Sequence, residues 1–389
     1  MLESIQIDKL FDQYSYQIVL NEKSKNGLLY MTGPNGIGKT TVLKMIDNLL
    51  SYHLEKFAAI PFSKVTFAFS GSNIVVLTRV VKEDAKSSKS DLPGPEVCVL
   101  NCTYTYPRKK TVAIETYQWV FKDGELESTS GFEMLGLELF LQTEKSLYLP
   151  DDRLFREHLG EIYSDKALSI TPAKKWLTNF QVALDDAYAV GSSTQEKLFE
   201  ELSDELKQEI DDKVQLLSKF GIEMPFDYAA LVSDNQLSEN MHLLFKLQSA
   251  LNQVDYEVRV LKSLDDALNN FELIDKRIEY SKRFGYRVRR TTDGRFIDIE
   301  NLSSGEKHLI CQLNMLYFVV HKNYLVMIDE PELSLHMAWQ MHYCDWLKEL
   351  IALQGIKMLI ATHSPRVFDA DFSLTSDLYM QIHAGRKKQ

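Results

Sequence analysis

Gly33-Pro34-Asn35-Gly36-Ile37-Gly38-Lys39-Thr40 sets two glycines around four residues and ends in Lys-Thr, the pattern of a phosphate-binding loop. Before it, Gly27-Leu28-Leu29-Tyr30-Met31-Thr32 is an apolar run of strand character. After it, Thr41-Val42-Leu43-Lys44-Met45-Ile46-Asp47-Asn48-Leu49-Leu50 spaces its apolar residues as a helix does. Glycines let successive backbone N–H groups curl around a phosphate, and the helix N-terminus adds partial positive charge. Lys39 is expected to reach the β- and γ-phosphates, and the Thr40 hydroxyl to sit on Mg²⁺. A glycine turn that merely joins strand to helix is the plainer alternative; the Lys-Thr ending and both flanks argue against it.

Working outward, 389 residues allow two or three domains, or one large domain with an insertion. A hydrophobic share of 45% and a charged share of 25% describe an ordinary globular chain with a sizeable core. A net charge of −11 argues against a surface coated in nucleic acid but leaves room for a local basic groove. Met1-Leu2-Glu3-Ser4-Ile5 lacks the basic and apolar regions of a secretory signal. No run of about 18 apolar residues occurs, so no membrane span is expected. Cys98, Cys102, Cys311 and Cys344 are too few and too scattered for a metal site, and read as reduced thiols of a cytoplasmic protein.

The N-terminal lobe is expected over 1–195, with strands before the loop and a β-rich stretch from Ser63 to Phe121. Phe11, Tyr14 and Tyr16 are either adenine contacts or sheet packing, and periodicity favours packing. Lys86–Asp91, closed by Pro93-Gly94-Pro95, reads as a loop. Asp151-Asp152-Arg153 follows an apolar strand and is equally a surface turn or a charge beside a nucleotide. Over 196–285 apolar residues fall three and four apart, at Phe199, Leu202, Leu206, Ile210 and Leu217. Past a break at Gly221–Asp227 they resume from Leu244 to Leu268. Two or three amphipathic helices are expected there, as a short arm or a packed subdomain. Over 286–389 the chain returns to α/β character. Tyr286–Arg290 and Arg295–Ile299 flank Asp293-Gly294, a hairpin signal. With Lys282 and Arg283 this is the densest basic cluster; a solvated face is favoured over a nucleic-acid contact.

Downstream, Tyr324-Leu325-Val326-Met327-Ile328-Asp329-Glu330 reads as a buried strand whose carboxylates emerge at its C-terminal end, where parallel sheets bind ligands. Asp329 is the expected Mg²⁺ partner and Glu330 the residue that polarises the attacking water. Leu302-Ser303-Ser304-Gly305-Glu306 opens an apolar helix and makes either a second anion site or an ordinary serine cap. Met358–Thr362 is a further strand that ends in His363, placed to contact a γ-phosphate.

In this order the motifs resemble those of a soluble ATP-binding-cassette ATPase head, similar to SMC, RecF and OLD-type proteins. Gly33–Thr40 matches Walker A, Leu302–Glu306 the signature, Asp329 and Glu330 Walker B, and His363 the switch histidine. Pro331-Glu332-Leu333-Ser334-Leu335-His336 resembles the D-loop of OLD-like ATPases. The resemblance implies an ABC-type P-loop head of mixed and parallel sheet with flanking helices and an inserted helical arm. It also implies ATP and Mg²⁺ as cofactors. The catalytic set would be Lys39, Glu330 and His363, with Thr40 and Asp329 on the metal. ATP would be held by Gly33, Pro34, Asn35, Gly36, Ile37, Gly38, Lys39, Thr40 and Thr41 of one copy. Ser303, Ser304, Gly305 and Glu306 of a second copy would close over it, so a homodimer or larger homo-oligomer is expected. Either Gln142 or the Asp152-Arg153 turn fills the glutamine-loop position.

Three roles compete. The first is the ATPase of an anti-phage defence system of the Septu, PARIS or OLD type. It would answer to DNA or a phage protein and control a separate nuclease-like effector, because Asp369–Gln389 is too short for a nuclease domain. The second is a RecF- or SMC-like ATPase of DNA repair or chromosome maintenance. The third, a transporter cassette, is disfavoured by the long insertion before the signature and the absence of a membrane-coupling segment.

Overall fold

The computed structural model describes all residues except 21–26, 84–95, 109–110, 132–134, 151–170, 191–203, 234–240, 272, 334 and 387–389. The turn at Asp151–Arg153, the Lys86–Asp91 loop, and Phe199 and Leu202 lie outside the described residues. The chain divides into two compact units. The first comprises Met1–Asp151, His321–Leu333 and Tyr343–Gln389, and the second Asp152–Val320 and Ser334–His342.

The first unit begins with β1 (Leu2–Leu10), β2 (Tyr14–Val19), β3 (Leu28–Thr32) and α1 (Lys39–Leu50). There follow β4 (Lys64–Phe69), β5 (Asn73–Glu83), β6 (Glu96–Arg108), β7 (Thr111–Lys122), β8 (Glu125–Gly131), α2 (Leu135–Leu141) and β9 (Lys145–Leu149). Among the described residues, β1, β2 and β4–β8 pair antiparallel in the order β2-β1-β4-β5-β6-β7-β8. Alternation sets Ile5, Ile7, Val65, Phe67, Val75, Leu77, Leu100 and Cys102 into one core, so the outer face carries the polar partners. Cys98 and Cys102 share the buried face, as their spacing requires, and carry free thiols.

The second unit opens with α3 (Thr171–Val190), α4 (Asp204–Lys219), α5 (Tyr228–Ser233), α6 (Met241–Gln253) and α7 (Asp255–Asn270). It continues with β10 (Lys276–Ser281), β11 (Gly285–Arg290), β12 (Phe296–Ile297) and α8 (Ser304–Phe318). Its helices pack down on one another. α3 lies on α6, α8 and β11, and α4 lies on α7. Leu247, Leu251, Leu261 and Leu264 are buried, and Trp176 packs between Phe180 and Phe318. The break after α4 has Gly221 at φ 68°. The helical pattern ends at Asn270, and β10 pairs antiparallel with β11 and extends the expected hairpin to a third strand.

The chain is completed by β13 (Tyr324–Asp329), α9 (Met337–Gln354), β14 (Lys357–Thr362), β15 (Thr375–Asp377) and α10 (Leu378–Arg386), all of the first unit except the start of α9, which belongs to the second up to His342. β9, β13, β14, β3 and β15 form an all-parallel sheet in the order β15-β3-β14-β13-β9. Its central strands are buried nearly end to end, which is why β3, β13 and β14 read as continuous apolar runs rather than alternating ones. The register sets Thr32 level with Thr362 and Asp329 level with Ala361. The residues that follow, Gly33, Glu330 and His363, therefore leave the same edge of one sheet. This is a P-loop α/β fold.

Candidate active site

The glycine loop keeps its shape because it has no room for side chains at its ends. Gly33 has φ 144°, and a Cβ there would lie 2.3 Å from Ile37 Cδ1. Gly38 has φ 94°, and its Cβ would lie 2.8 Å from Leu10 Cδ2 and 3.0 Å from Phe11 Cε2. Both angles are costly for any residue with a Cβ. Ile37 is buried beneath the loop, and Tyr16 donates its hydroxyl hydrogen to Ile37 O at 2.7 Å. Tyr16 and Phe11 thus pack against the loop, and Pro34-Asn35-Gly36 stand exposed. α1 starts on Gly38 with no side-chain cap and no acidic residue in its first turn, so its leading N–H groups are left for an anion.

Lys39 is buried, with 4% of its side chain exposed. Its ammonium donates to Gly33 O at 3.0 Å and Pro34 O at 3.4 Å, and pairs with Glu330 Oε1 at 3.0 Å. The other oxygen of Glu330 lies 2.5 Å from His363 Nδ1. Thus Lys39, Glu330 and His363, from three separate segments, meet at the end of the parallel sheet. Glu330 follows β13 with a left-handed φ of 45°, a conformation that costs a non-glycine residue about 1–3 kcal/mol. Its own N–H donates to Ala361 O at 2.8 Å, so the ladder holds the backbone as it turns and the carboxylate faces the loop. Burial pushes the Glu330 carboxyl up, but hydrogen bonds from Glu332, Lys39 and His363 outweigh it and hold the pKa below the ordinary value.

Asp329 is fully buried and receives the Tyr148 hydroxyl on Oδ2 at 3.3 Å, across from β9. Gln142 precedes β9, at the sheet edge opposite the one where Asp329 ends β13. The second unit holds Ser303–Glu306. Ser303 caps α8 in a reciprocal box: its Oγ accepts from Glu306 N at 3.3 Å, and its N–H donates to Glu306 Oε2 at 2.9 Å. Glu306 Oε1 also pairs with Lys276 at 2.6 Å, so this carboxylate is fixed as scaffold. Ser303 and Ser304 are exposed at the helix start.

Residues 189–367 match the family described as AAA ATPase domain, a span that contains Ser303–Glu306, Asp329, Glu330 and His363. The chain is an ATPase. Among solved structures it is similar to an SMC head bound to the C-winged helix domain of ScpA. The identity is 12% and the TM-score 0.38, over 95% of this chain and 91% of that one. It is also similar to the SMC head domain from Thermotoga maritima, at 12% identity and TM-score 0.33, with the same coverage. No curated protein matches the chain. No helix among the described residues is long and apolar enough to cross a membrane.

Two residues that build the site are not among the expected site residues: Tyr148 has no expected role, and Glu332 appears only within the D-loop-like Pro331–His336. Tyr148 supports Asp329, and Glu332 is buried beside Glu330 and His363. Burial, the largest influence, pushes the Glu332 carboxyl up. The motif Asp-Glu-Pro-Glu shows a second acid near the strand end, but only the return of β14 reveals what it touches. The arginines are differently placed. Arg287 Nε and Arg289 Nε each donate to Glu279 at 2.8 Å, and Arg290 pairs with Asp293 at 3.1 Å. Phe296 lies under both Arg287 and Arg289, at 4.1 and 4.5 Å. The arginines of this hairpin are thus paired within its own face.

Proposed function

We propose that this chain is an ABC-type ATP switch in which Gly33–Thr41 cradles the triphosphate and Glu330 is the general base for hydrolysis. The observation that carries this is the double engagement of Glu330, by Lys39 on one oxygen and His363 on the other. A γ-phosphate would draw the Lys39 ammonium off Glu330 Oε1 and the loop carbonyls. The freed oxygen could then accept a proton from water, and His363, 43% exposed, would contact the same phosphate. The base becomes available only once the triphosphate has arrived.

The donor set fits Mg²⁺: a hydroxyl at Thr40 in the first turn of α1 and a carboxylate at Asp329 are hard oxygen ligands. The ion, when bound, would neutralise charge on the phosphates. Tyr148 would hold the Asp329 carboxylate in place. Ser303, Ser304 and Gly305 of a second copy supply the remaining N–H groups in this proposal, with Glu306 as the brace that keeps their helix start in shape. Met337 and Met341, exposed one turn apart on α9, suit a surface covered by another chain. In this reading the three-part division at residues 195 and 285 marks the lobes that such a pairing would move. The OLD-like form of Pro331–His336 supports a role as the ATPase of an anti-phage system. There it would control a separate nuclease-like effector in response to DNA or a phage protein.

The deciding experiment is Glu330→Gln. Hydrolysis is expected to fall about 100-fold or more while ATP still binds and the ATP-bound protein accumulates as a dimer in light scattering. Wild-type turnover in this variant would refute the assignment of the base. A pull-down from the native host tests the effector: recovery of the chain alone, with and without ATP, would count against the defence role.

A further inference from the structure

We infer that Glu332 is the positioning residue of this site, a buried acceptor that fixes the Thr362–Ser364 turn and through it the His363–Glu330 contact. The inference rests on the proposal that Glu330 is the base.

One oxygen of Glu332 gathers the whole turn. Oε1 accepts from Thr362 Oγ1 at 2.6 Å, from His363 N at 2.8 Å and from Ser364 N at 3.1 Å, and it lies 3.1 Å from His363 Nδ1. Ser364 N also reaches Thr362 Oγ1 at 3.0 Å, which closes a small ring of donors around that oxygen. Only 5% of the Glu332 side chain is exposed, against 43% for His363. The histidine is therefore exposed on a turn whose main chain is tied from beneath. Backbone N–H groups at the end of a buried strand need an acceptor, and among the described residues Glu332 is the one that His363 N meets. Glu332 supplies it from the 3₁₀ turn Pro331–Leu333, which directly follows Glu330. Both sides of the catalytic contact are thus held by one short segment: Glu330 through the chain and its hydrogen bond with Glu332, and His363 through Glu332. A displacement near 1 Å at a reacting group costs about 100-fold in rate. Loss of this tie should therefore be felt in turnover rather than in nucleotide affinity, since Glu332 makes none of the contacts proposed for the triphosphate.

The test uses the full chain with three substitutions, beside Glu330→Gln. Glu332→Ala removes the acceptor and is expected to lower kcat by roughly 100-fold, with the Kd for ATP within about threefold of wild type. Glu332→Gln keeps an acceptor oxygen in place and is expected to restore kcat to within about tenfold of wild type. Thr362→Val removes a single donor without loss of volume and is expected to lower kcat about fivefold, which decides the question if Glu332→Ala does not fold. Wild-type kcat in Glu332→Ala, equal damage in the Ala and Gln variants, or a parallel loss of ATP affinity would each overturn the inference. If Glu330→Gln is inactive and Glu332→Ala is not, the inference alone fails. If Glu330→Gln turns over normally, the assignment of the base fails first.

Discussion

Two clusters in this molecule each pair carboxylates with cationic side chains, yet they differ in every physical respect that bears on function. At the end of the parallel sheet, Lys39, Glu330, Glu332 and His363 are drawn together from segments far apart in the chain. Three of the four are nearly buried. On the β10–β11 face, Arg287, Arg289 and Glu279 sit on neighbouring strands, partly in water, with Glu279 directly opposite Arg287 in the register. The first cluster holds its members against burial and against a left-handed backbone at Glu330. The second meets its needs locally: each guanidinium has a carboxylate and an aromatic ring. Groups held in costly positions are candidates for chemistry, whereas groups satisfied by near neighbours usually stabilise a surface.

Lys39→Ala should break the comparison most visibly. It removes the ammonium that pairs with Glu330 Oε1 and donates to the loop carbonyl of Gly33, and that is expected on the phosphates. ATP hydrolysis is expected to fall at least about 100-fold, with a matching loss of ATP binding by titration calorimetry. Removal of Arg289 by Arg289→Ala should leave both unchanged. If the two substitutions had equal effects on turnover, the contrast between the clusters would carry no functional meaning.

Much of the first cluster could be read before the fold was known, and the reasons are local. A loop that requires φ near 90° at Gly38 advertises itself through glycine, and a strand buried on both faces advertises itself as an unbroken apolar run ending in acids. The left-handed turn at Glu330 has no such marker, because glutamate does not announce positive φ. Glu332 was visible only as part of a motif, since its partners are thirty residues on and arrive with β14. The arginine cluster stood out by density alone. Its carboxylate is hidden in sequence because Lys276–Ser281, the strand that carries Glu279, directly follows a stretch of helical spacing. Helical spacing ends at Asn270, and alternation over Ile278 and Tyr280 is the signal that marks the change.

Ser303→Ala sharpens the comparison at a more modest scale. The capping box at the start of α8 is a satisfied local structure, like the arginine face, yet it is also the segment proposed to close over a second copy's nucleotide. Loss of the cap is expected to cost about 1 kcal/mol, a fall of roughly 2–4 °C in Tm. Turnover should drop further than that loss explains if Ser303 also meets phosphate, and addition of the Lys39→Ala protein should then complement the variant in mixed dimers. Without complementation, Ser303 is a cap and nothing more.

The smallest effect is expected at Glu279, and its sign follows from the pairing. Burial pushes the Glu279 carboxyl up, but the bonds from Arg289 and Arg287 outweigh it and leave the pKa below the ordinary value. A carboxylate whose folded pKa is depressed contributes stability that is present above the unfolded value, near 4.3, and lost as pH falls through the folded value. Glu279→Gln removes that titration, so its Tm should fall less steeply than that of the wild type between about pH 5 and pH 3. Near pH 7 the variant is expected to be less stable by no more than about 1 kcal/mol, because the pair is partly exposed and screened. Parallel Tm curves for the two proteins would mean that the arginines do not hold Glu279 in solution. Arg287 and Arg289 would then be available to other anions, and the β10–β11 face would have to be counted with the active site rather than against it.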